Sequence, residues 1–315
     1  MRSVEISVVS PVFNEEESLR IFIPELLRTL ETVCSNYEVI FAVDPCTDST
    51  IDVIEKFRLV DSRIKYIEFS RKFGQPAATI AGIECAVGRA VIVMDCDMQD
   101  PPSLIPTFVS KWREGFQVVY AQRSRREGET AFKKFSTKVG YFFINKFAEV
   151  DIPRNTGDFR LLDRLVVDHL RAFPESHSFL RGLVALIGFN QSVVVFDRPE
   201  RSGGSGKYNR YFGNLRFQFN GLVAFSTVLL NISTVLGFIT AFTSVVLAVI
   251  YTTLKLIGTS FPLGNPTIVI LLLFLGGAQL TCLGIIGQYI GRIYDDVKRR
   301  PRYIIKRRVG FEIET

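Results

Sequence analysis

Histidine is almost missing from this 315-residue chain, which has two, and its five cysteines show no paired spacing. His169 and His177 are too few for a histidine-based metal site. The cysteines at 34, 46, 85, 96 and 282 lack the close pairs that a zinc site needs, and they fit a reducing compartment. Glycine is missing where a dinucleotide-binding turn would need it. The turn after the first β-rich run reads "SPVFNEEES", with three glutamates that would repel a bare pyrophosphate. A second glycine-rich stretch, "SGGSGKYN" at 202–209, is a near miss for a P-loop. Arg201 stands where the first glycine should be, and Tyr208 replaces the hydroxyl after the lysine. No internal repeat or low-complexity segment is present. The start, "MRSVEISVVSPVFN", is strand-like with an acidic residue inside, so no signal peptide is expected.

Charge is missing from two long stretches. Residues 222–254 and 256–291 carry no ionisable acid or base, and only the turn-like "PLGNP" at 262–266 interrupts the second. About 20 helical residues cross a bilayer core of about 30 Å, so both stretches suffice, and buried core helices seldom stay charge-free for so long. A two-helix transmembrane hairpin at the C-terminal end is therefore expected. Lys207, Arg210 and Arg216 precede it. Arg292, Lys298, Arg299, Arg300, Arg302, Lys306, Arg307 and Arg308 follow it, while the connection holds only Lys255. This asymmetry places both ends in the cytoplasm of a cell whose inner (plasma) membrane is crossed twice. The net charge of +6 then faces anionic head groups, and no nucleic acid partner is called for.

What is present is an alternation. The β-rich runs "EISVVSPVF", "YEVIFAVD", "IKYIEFS", "AVIVMD" and "FQVVYAQ" take turns with helical patterns at 16–33, 48–58, 75–87 and 102–113. That order predicts an α/β fold with a mostly parallel sheet, helices on both faces and a ligand at the carboxyl ends of the strands. The residues falling there are Asn14 and Glu15, Asp44, Arg71, Asp95 and Asp97, and Arg123. Two aspartates at i and i+2 on a strand end can meet one hard cation, Mg²⁺ or Mn²⁺, and the ion can bridge to a diphosphate leaving group. Asp100, before "PPSL", reads as a helix N-cap rather than a ligand.

The segments "SVVSPVFNEEESL", "FAVDPCTDST", "SRKFGQPAATIAG", "VMDCDMQDPP", "TGDFRLLDR" and "RSGGSGKYN" resemble, in order and spacing, the family 2 glycosyltransferases that charge a polyprenyl phosphate with a sugar. Dolichyl-phosphate mannose synthases and bacterial bactoprenol glucosyl transferases belong to this group. The resemblance implies a GT-A type nucleotide-sugar fold, an inverting mechanism and a divalent metal, Mg²⁺ or Mn²⁺. It implies that Pro11, Phe13, Glu15 and Asp44 hold the nucleoside, with Asp44 reading the base. Asp95, Asp97 and Gln99 would hold metal and diphosphate, and Arg201 and Lys207 would grip phosphate from a cover loop. Asp158, in "TGDFR", would be the acceptor-side catalytic aspartate, with Asp97 as the second catalytic carboxylate. Arg123, Arg126 and Ser136 would meet the lipid phosphate. One departure is the pattern "VDDGSTDGT", one residue shorter here as "VDPCTDST".

The implied domains are a cytoplasmic catalytic domain at 1–205, an interfacial segment at 206–221, two transmembrane helices at 222–292 and a basic cytoplasmic tail at 293–315. Basic and aromatic residues interleave at 130–147 and 208–219, as in segments that lie in a membrane interface. A helix packed on the core is the alternative for 130–147. The expected partners are a nucleotide-sugar donor, a polyprenyl phosphate acceptor, membrane lipids and, by resemblance, further copies of the chain, up to a tetramer. The expected reaction is transfer of glucose from UDP-glucose to undecaprenyl phosphate, for modification of a cell-envelope glycan such as lipopolysaccharide. GDP-mannose, UDP-GlcNAc or an aminosugar donor is the alternative, and a lipid-linked-sugar transport or scaffold protein a further one. A processive synthase is disfavoured, because the single tryptophan, Trp112, lies in "SKWREG" and not in a Gln-x-x-Arg-Trp motif.

Overall fold

The run Ile6–Val12 is buried at all but one position, as a strand must be when helices cover both faces of its sheet. It is β1 in a computed structural model that describes residues 4–124, 156–173, 180–197, 228–258 and 266–311. The order continues α1 (Glu16–Val33), β2 (Tyr37–Val43), α2 (Thr50–Val60), β3 (Ile64–Phe69), α3 (Gln75–Cys85) and β4 (Ala90–Val93). A 3₁₀ turn (Pro102–Leu104), α4 (Ile105–Arg113), β5 (Val118–Arg123), β6 (Thr156–Asp163), α5 (Arg164–Ala172), α6 (Leu180–Ile187) and β7 (Gln191–Phe196) complete the globular part. Two long helices, α7 (Val228–Leu256) and α8 (Pro266–Val297), and a last strand, β8 (Ile305–Val309), follow.

The eight strands form one sheet in the order β7-β5-β6-β4-β1-β2-β3-β8. β1 to β4 are parallel, as the alternation predicts. β6 and β8 are antiparallel to their neighbours, which it does not predict. β6 is inserted between β4 and β5, with Val93 opposite Arg160 and Val119 opposite Leu161. Alternation along β6 sends Phe159 and Leu161 into the layer with α1, α2 and α4, while Leu162 joins the layer with α3, α5 and α6. Asp158 and Arg160 share the parity of Leu162 and so face that second layer. Helix α3 packs so closely that a methyl group on Gly82 would collide with the Val9 side chain.

The stretch read as a basic tail supplies β8, which pairs with β3 with Tyr66 opposite Val309 and Glu68 opposite Arg307. Its flanks are held as well. The Tyr303 hydroxyl donates to Glu84, the Arg302 guanidinium donates to the Phe173 carbonyl, and Lys306 pairs with Glu68 at 2.6 Å. Tyr303, Ile305 and Phe311 pack against Phe69, Ala78 and Ala81.

Within α7 and α8, Leu230–Leu256 and Leu271–Val297 are each 27 residues long and apolar enough to cross a membrane, and almost none of either is covered by protein. At 1.5 Å per residue each extends about 40 Å. Phe238, Phe242, Leu273 and Leu280 are more than 70% exposed, a pattern that a soluble core helix does not show. Cys282 Sγ, midway along α8, lies 3.9 Å from the carbonyl oxygen of Ser233, early in α7, and with only nine residues between the two helices this contact fits an antiparallel hairpin.

Candidate active site

Because β1 to β4 are parallel, the segments after them meet at one edge. β5 ends and β6 begins at that edge. Asn14, Asp44, Asp95, Asp97, Arg123 and Asp158 are thereby brought to a single rim, although they span 145 positions of the chain.

At the β1 and β2 end the rim is a closed clamp. Asn14, in the left-handed region at φ 52°, donates its side-chain amide to Thr47 Oγ1 at 3.0 Å and accepts the Thr47 N–H at 2.8 Å. Cys46 accepts the Asn14 N–H at 3.2 Å and donates to the Asp44 carbonyl at 3.1 Å. The shortened "VDPCTDST" loop is therefore sealed by its own cysteine. Asp48 accepts from the Thr50 N–H and hydroxyl, at 3.2 and 2.6 Å, at the start of α2. Glu15 donates its N–H to Thr50 and accepts from the Ser18 hydroxyl at 2.8 Å. Pro11 lies beyond the last β4 partner of β1, Val9, so its missing N–H costs no bond on that side.

Asp44 is 2% exposed, and its two oxygens accept the backbone N–H groups of Phe73 and Gly74, each at 2.9 Å. It thus fixes the loop after β3, in which Gly74 has φ 89°. That loop places the Lys72 ammonium 3.3 Å from the centre of the Phe13 ring and the Arg71 guanidinium 4.0 Å from that of Phe73.

The carboxylate pair follows β4. Cys96 between the two is buried in the core, and Asp95 and Asp97 flank it, both half-buried at the rim. Asp97 accepts the Gln99 N–H at 3.1 Å, across a turn in which Met98 has φ 63°. Asp95 accepts the side-chain amide of Gln75 at 2.8 Å. Asp100 is not the expected cap. Pro101 occupies the N-cap of the 3₁₀ turn, and the buried Asp100 carboxylate accepts the Asp95 N–H at 3.2 Å, which braces the pair. Among the described residues no three acidic, histidine or cysteine side chains form a metal cage. Two hard carboxylates, completed by water and substrate oxygens, are a donor set that suits Mg²⁺ or Mn²⁺ next to a diphosphate.

One strand away, Asp158 is the third residue of β6. Arg181 on α6 donates its Nε to Asp158 Oδ1 at 2.9 Å, and the Arg160 guanidinium lies 3.9 Å from the same oxygen. The Arg123 guanidinium lies against Gly157, 3.4 Å from where a Cβ would stand. Burial pushes the Asp158 carboxyl up, but Arg181, Arg160 and Arg123 outweigh it and hold the group below its ordinary value. Arg160 is 4% exposed, and burial together with Arg181 lowers it to about 10, so it stays charged at neutral pH. Arg164, the next arginine along the chain, donates instead to the Ala86 and Gly88 carbonyls. Arg126, Ser136, Arg201 and Lys207 lie outside the described residues, as do the segments 130–147 and 208–219.

Gln75 and Arg181 are members of the site that sequence reasoning did not assign. Gln75 lay inside a recognised segment, "SRKFGQPAATIAG", where a polar side chain at a helix start was a usable signal. Arg181 had none, since only the fold brings α6 to β6.

Comparison with known proteins decides the family. The model for "Glycosyl transferase family 2" matches residues 7–171. The chain is 41% identical over 312 residues to the uncharacterized glycosyltransferase sll0501 of Synechocystis sp., covering 98% of this chain and 97% of that one. The chain belongs to glycosyltransferase family 2. This family 2 chain is also 39% identical over 311 residues to the uncharacterized glycosyltransferase YkcC of Bacillus subtilis, covering 99% and 96%. It is 36% identical over 305 residues to the bactoprenol glucosyl transferase of Shigella phage SfII, covering 96% and 98%. The mostly parallel α/β sheet is the GT-A-like fold of a family 2 glycosyltransferase, and the protein is a glycosyltransferase.

Proposed function

We propose that this glycosyltransferase moves one sugar, glucose from UDP-glucose, onto undecaprenyl phosphate at the cytoplasmic face of the membrane, with inversion at the anomeric carbon. The observation that carries the reading is the adjacency of two unlike sites at the ends of neighbouring strands. One is a carboxylate pair after β4, and the other is an arginine-rich site around Asp158 at the start of β6. The first suits a nucleoside diphosphate with a cation, and the second suits an incoming anion. The name and near-complete overlap of the phage relative support bactoprenol as the acceptor.

Asp95 and Asp97 would hold the cation, Mg²⁺ or Mn²⁺, which when bound neutralises charge on the departing diphosphate. Gln75 and Asp100 keep Asp95 in place for it. Gln99 lies next in line for the diphosphate, and Arg201 and Lys207, outside the described residues, are assigned to the same charge. Phe13, with Lys72 above it, offers the nucleoside a flat face. Pro11, Glu15 and Asp44 shape the floor beneath, and Asp44 reaches the base only through lone pairs not already given to Phe73 and Gly74.

Transfer passes through an oxocarbenium-like transition state. The acceptor is a phosphate monoester whose second pKa is about 6, so it arrives already anionic and needs no base. Asp158, held ionised by arginines, accordingly orients rather than deprotonates. Arg123 and Arg126 offset repulsion between acceptor and donor phosphates, and Ser136 is assigned with them to the lipid phosphate.

The topology supports membrane attachment. The chain leaves the sheet after β7, runs through the α7–α8 hairpin and returns to the same sheet as β8. Both ends of the hairpin therefore lie on one side, which supports two crossings. The basic residues next to that side support its being cytoplasmic.

The test is full-length protein in vesicles with undecaprenyl phosphate, Mn²⁺ and a panel of radiolabelled nucleotide-sugars. UDP-glucose should give labelled lipid of inverted anomeric configuration. Label from GDP-mannose or UDP-GlcNAc alone would overturn the donor, and label independent of the lipid phosphate would overturn the acceptor.

A further inference from the structure

Four residues, 298–301, separate the end of α8 from Arg302, and five steps of chain reach at most about 18 Å. The segment that arrives there grips α3 and the loop in front of it. The Tyr303 hydroxyl and the Arg302 guanidinium both engage Glu84, in the last turn of α3, and Arg302 also donates to the Phe173 carbonyl. Burial, with the Glu84 carboxylate beside it, pushes the Tyr303 hydroxyl well above its ordinary value, so it stays protonated at neutral pH. The Ile304 carbonyl accepts the N–H of Ser70, the first residue after β3, at 3.0 Å.

Ser70 opens the loop that carries Lys72 to the ring of Phe13. The far end of that loop is fixed by Asp44, through the N–H groups of Phe73 and Gly74, and Gln75 just beyond donates to Asp95. The near end is fixed by the chain returning from the hairpin. Between the two stands a file of three rings. Tyr303 meets Phe69 edge-on with ring centres 5.8 Å apart, and Phe69 meets Phe73 edge-on at 5.9 Å. Tyr303 therefore backs, through Phe69, the residue next to Lys72. Removing its ring would leave a gap into which Phe69 and Phe73 could shift, and the loop would follow Phe73.

We propose that Tyr303 is a positioning residue for the nucleotide-sugar: from the segment that leaves the hairpin it holds the β3–α3 loop, with Lys72, Phe73 and Gly74, in the shape that binds the nucleoside diphosphate, without touching the substrate itself. This rests on the functional reading above and deepens it on the nucleotide side.

The experiment uses the full-length chain as wild type, Tyr303→Ala, Tyr303→Phe, Asp44→Asn and the Tyr303→Ala/Asp44→Asn double variant, each well below its thermal midpoint. UDP binding in the presence of Mn²⁺ is measured by calorimetry, amide hydrogen exchange at Phe73 and Gly74 is followed without ligand, and both KM values are taken in vesicles. Tyr303→Ala should weaken UDP binding and speed exchange at the two amides by roughly 10-fold each, and leave the acceptor KM within about twofold. Tyr303→Phe, which keeps the ring and loses the bond to Glu84, should weaken UDP by about threefold. In the Asp44→Asn background Tyr303→Ala should cost less than about twofold more, because the loop is already released. If Tyr303→Ala does not fold, the phenylalanine variant decides. A lower melting point with UDP affinity and exchange unchanged, equal shifts in both KM values, or full additivity with Asp44→Asn would each overturn the proposal. Absence of UDP binding by the wild type with either Mn²⁺ or Mg²⁺ would instead sink the functional reading itself.

Discussion

The side-chain amide of Gln75, the first residue of α3, donates to Oδ1 of Asp95 at 2.8 Å and so ties that helix to the carboxylate pair. An outer partner that orients a metal-binding carboxylate is worth roughly 10- to 100-fold in metal affinity. Replacing Gln75 with Ala should raise the Mn²⁺ concentration for half-maximal turnover by about 10-fold and leave the thermal midpoint unchanged. Titrating Mn²⁺ into both proteins checks this, and an unshifted curve would make the contact incidental.

Asp44 makes a prediction about stability. Asn in its place would turn one accepting oxygen into a donor facing the N–H of Phe73 or Gly74 in a buried position. Leaving such a group unsatisfied costs about 1–3 kcal/mol. Urea unfolding of Asp44→Asn should show that loss, and nucleotide binding should weaken with it because the loop carrying Lys72 is released.

The C-terminal strand predicts that the catalytic domain does not end where the hairpin begins. Deleting residues 303–311 removes β8, the Tyr303–Glu84 and Lys306–Glu68 contacts, and the packing of Ile305 and Phe311 on Phe69. From the apolar area alone the loss is on the order of 3 kcal/mol. Thermal unfolding of the truncated protein should move down by several degrees, and proteolysis should open first at β3. An unaffected melt would show that β8 is an ornament on the edge.

The state of Asp158 fixes a pH dependence. Its carboxyl is held below the ordinary value, so it stays ionised from neutral pH down past that value. The stability it contributes is present above the unfolded pKa of about 4 and is lost only as pH falls through the lower, folded one. The rate should therefore rise once with pH, near 6, as the acceptor becomes dianionic, and Asp158→Asn should keep that rise at a lower plateau. Loss of the ionisation in the variant would make Asp158 a base.

Much of this was legible in the sequence where local pattern decides. Glu16–Val33 and the strands at Tyr37, Ile64 and Ala90 follow from apolar periodicity, and the parallel order of β1 to β4 follows from their alternation with helices. Asp95 and Asp97 were legible because i and i+2 after an apolar run is itself a local signature. What local pattern cannot show is a long-range return. β6 slips between β4 and β5, and β8 arrives after the hairpin as a short basic run, "IKRRV", whose strand character comes from pairing with β3 rather than from its composition. Asp100 misled for a related reason. A cap signal before two prolines was overridden by the backbone N–H of Asp95, which the turn brings to it.

The most direct test of the whole account is lipid-linked product formed by the wild type after exhaustive chelation, set against Asp97→Asn with Mn²⁺ restored. A cation held by Asp95 and Asp97 requires that chelation abolish transfer, that Mn²⁺ or Mg²⁺ restore it to the wild type, and that neither restore it to Asp97→Asn. Full-speed product in the chelated wild type would contradict the account.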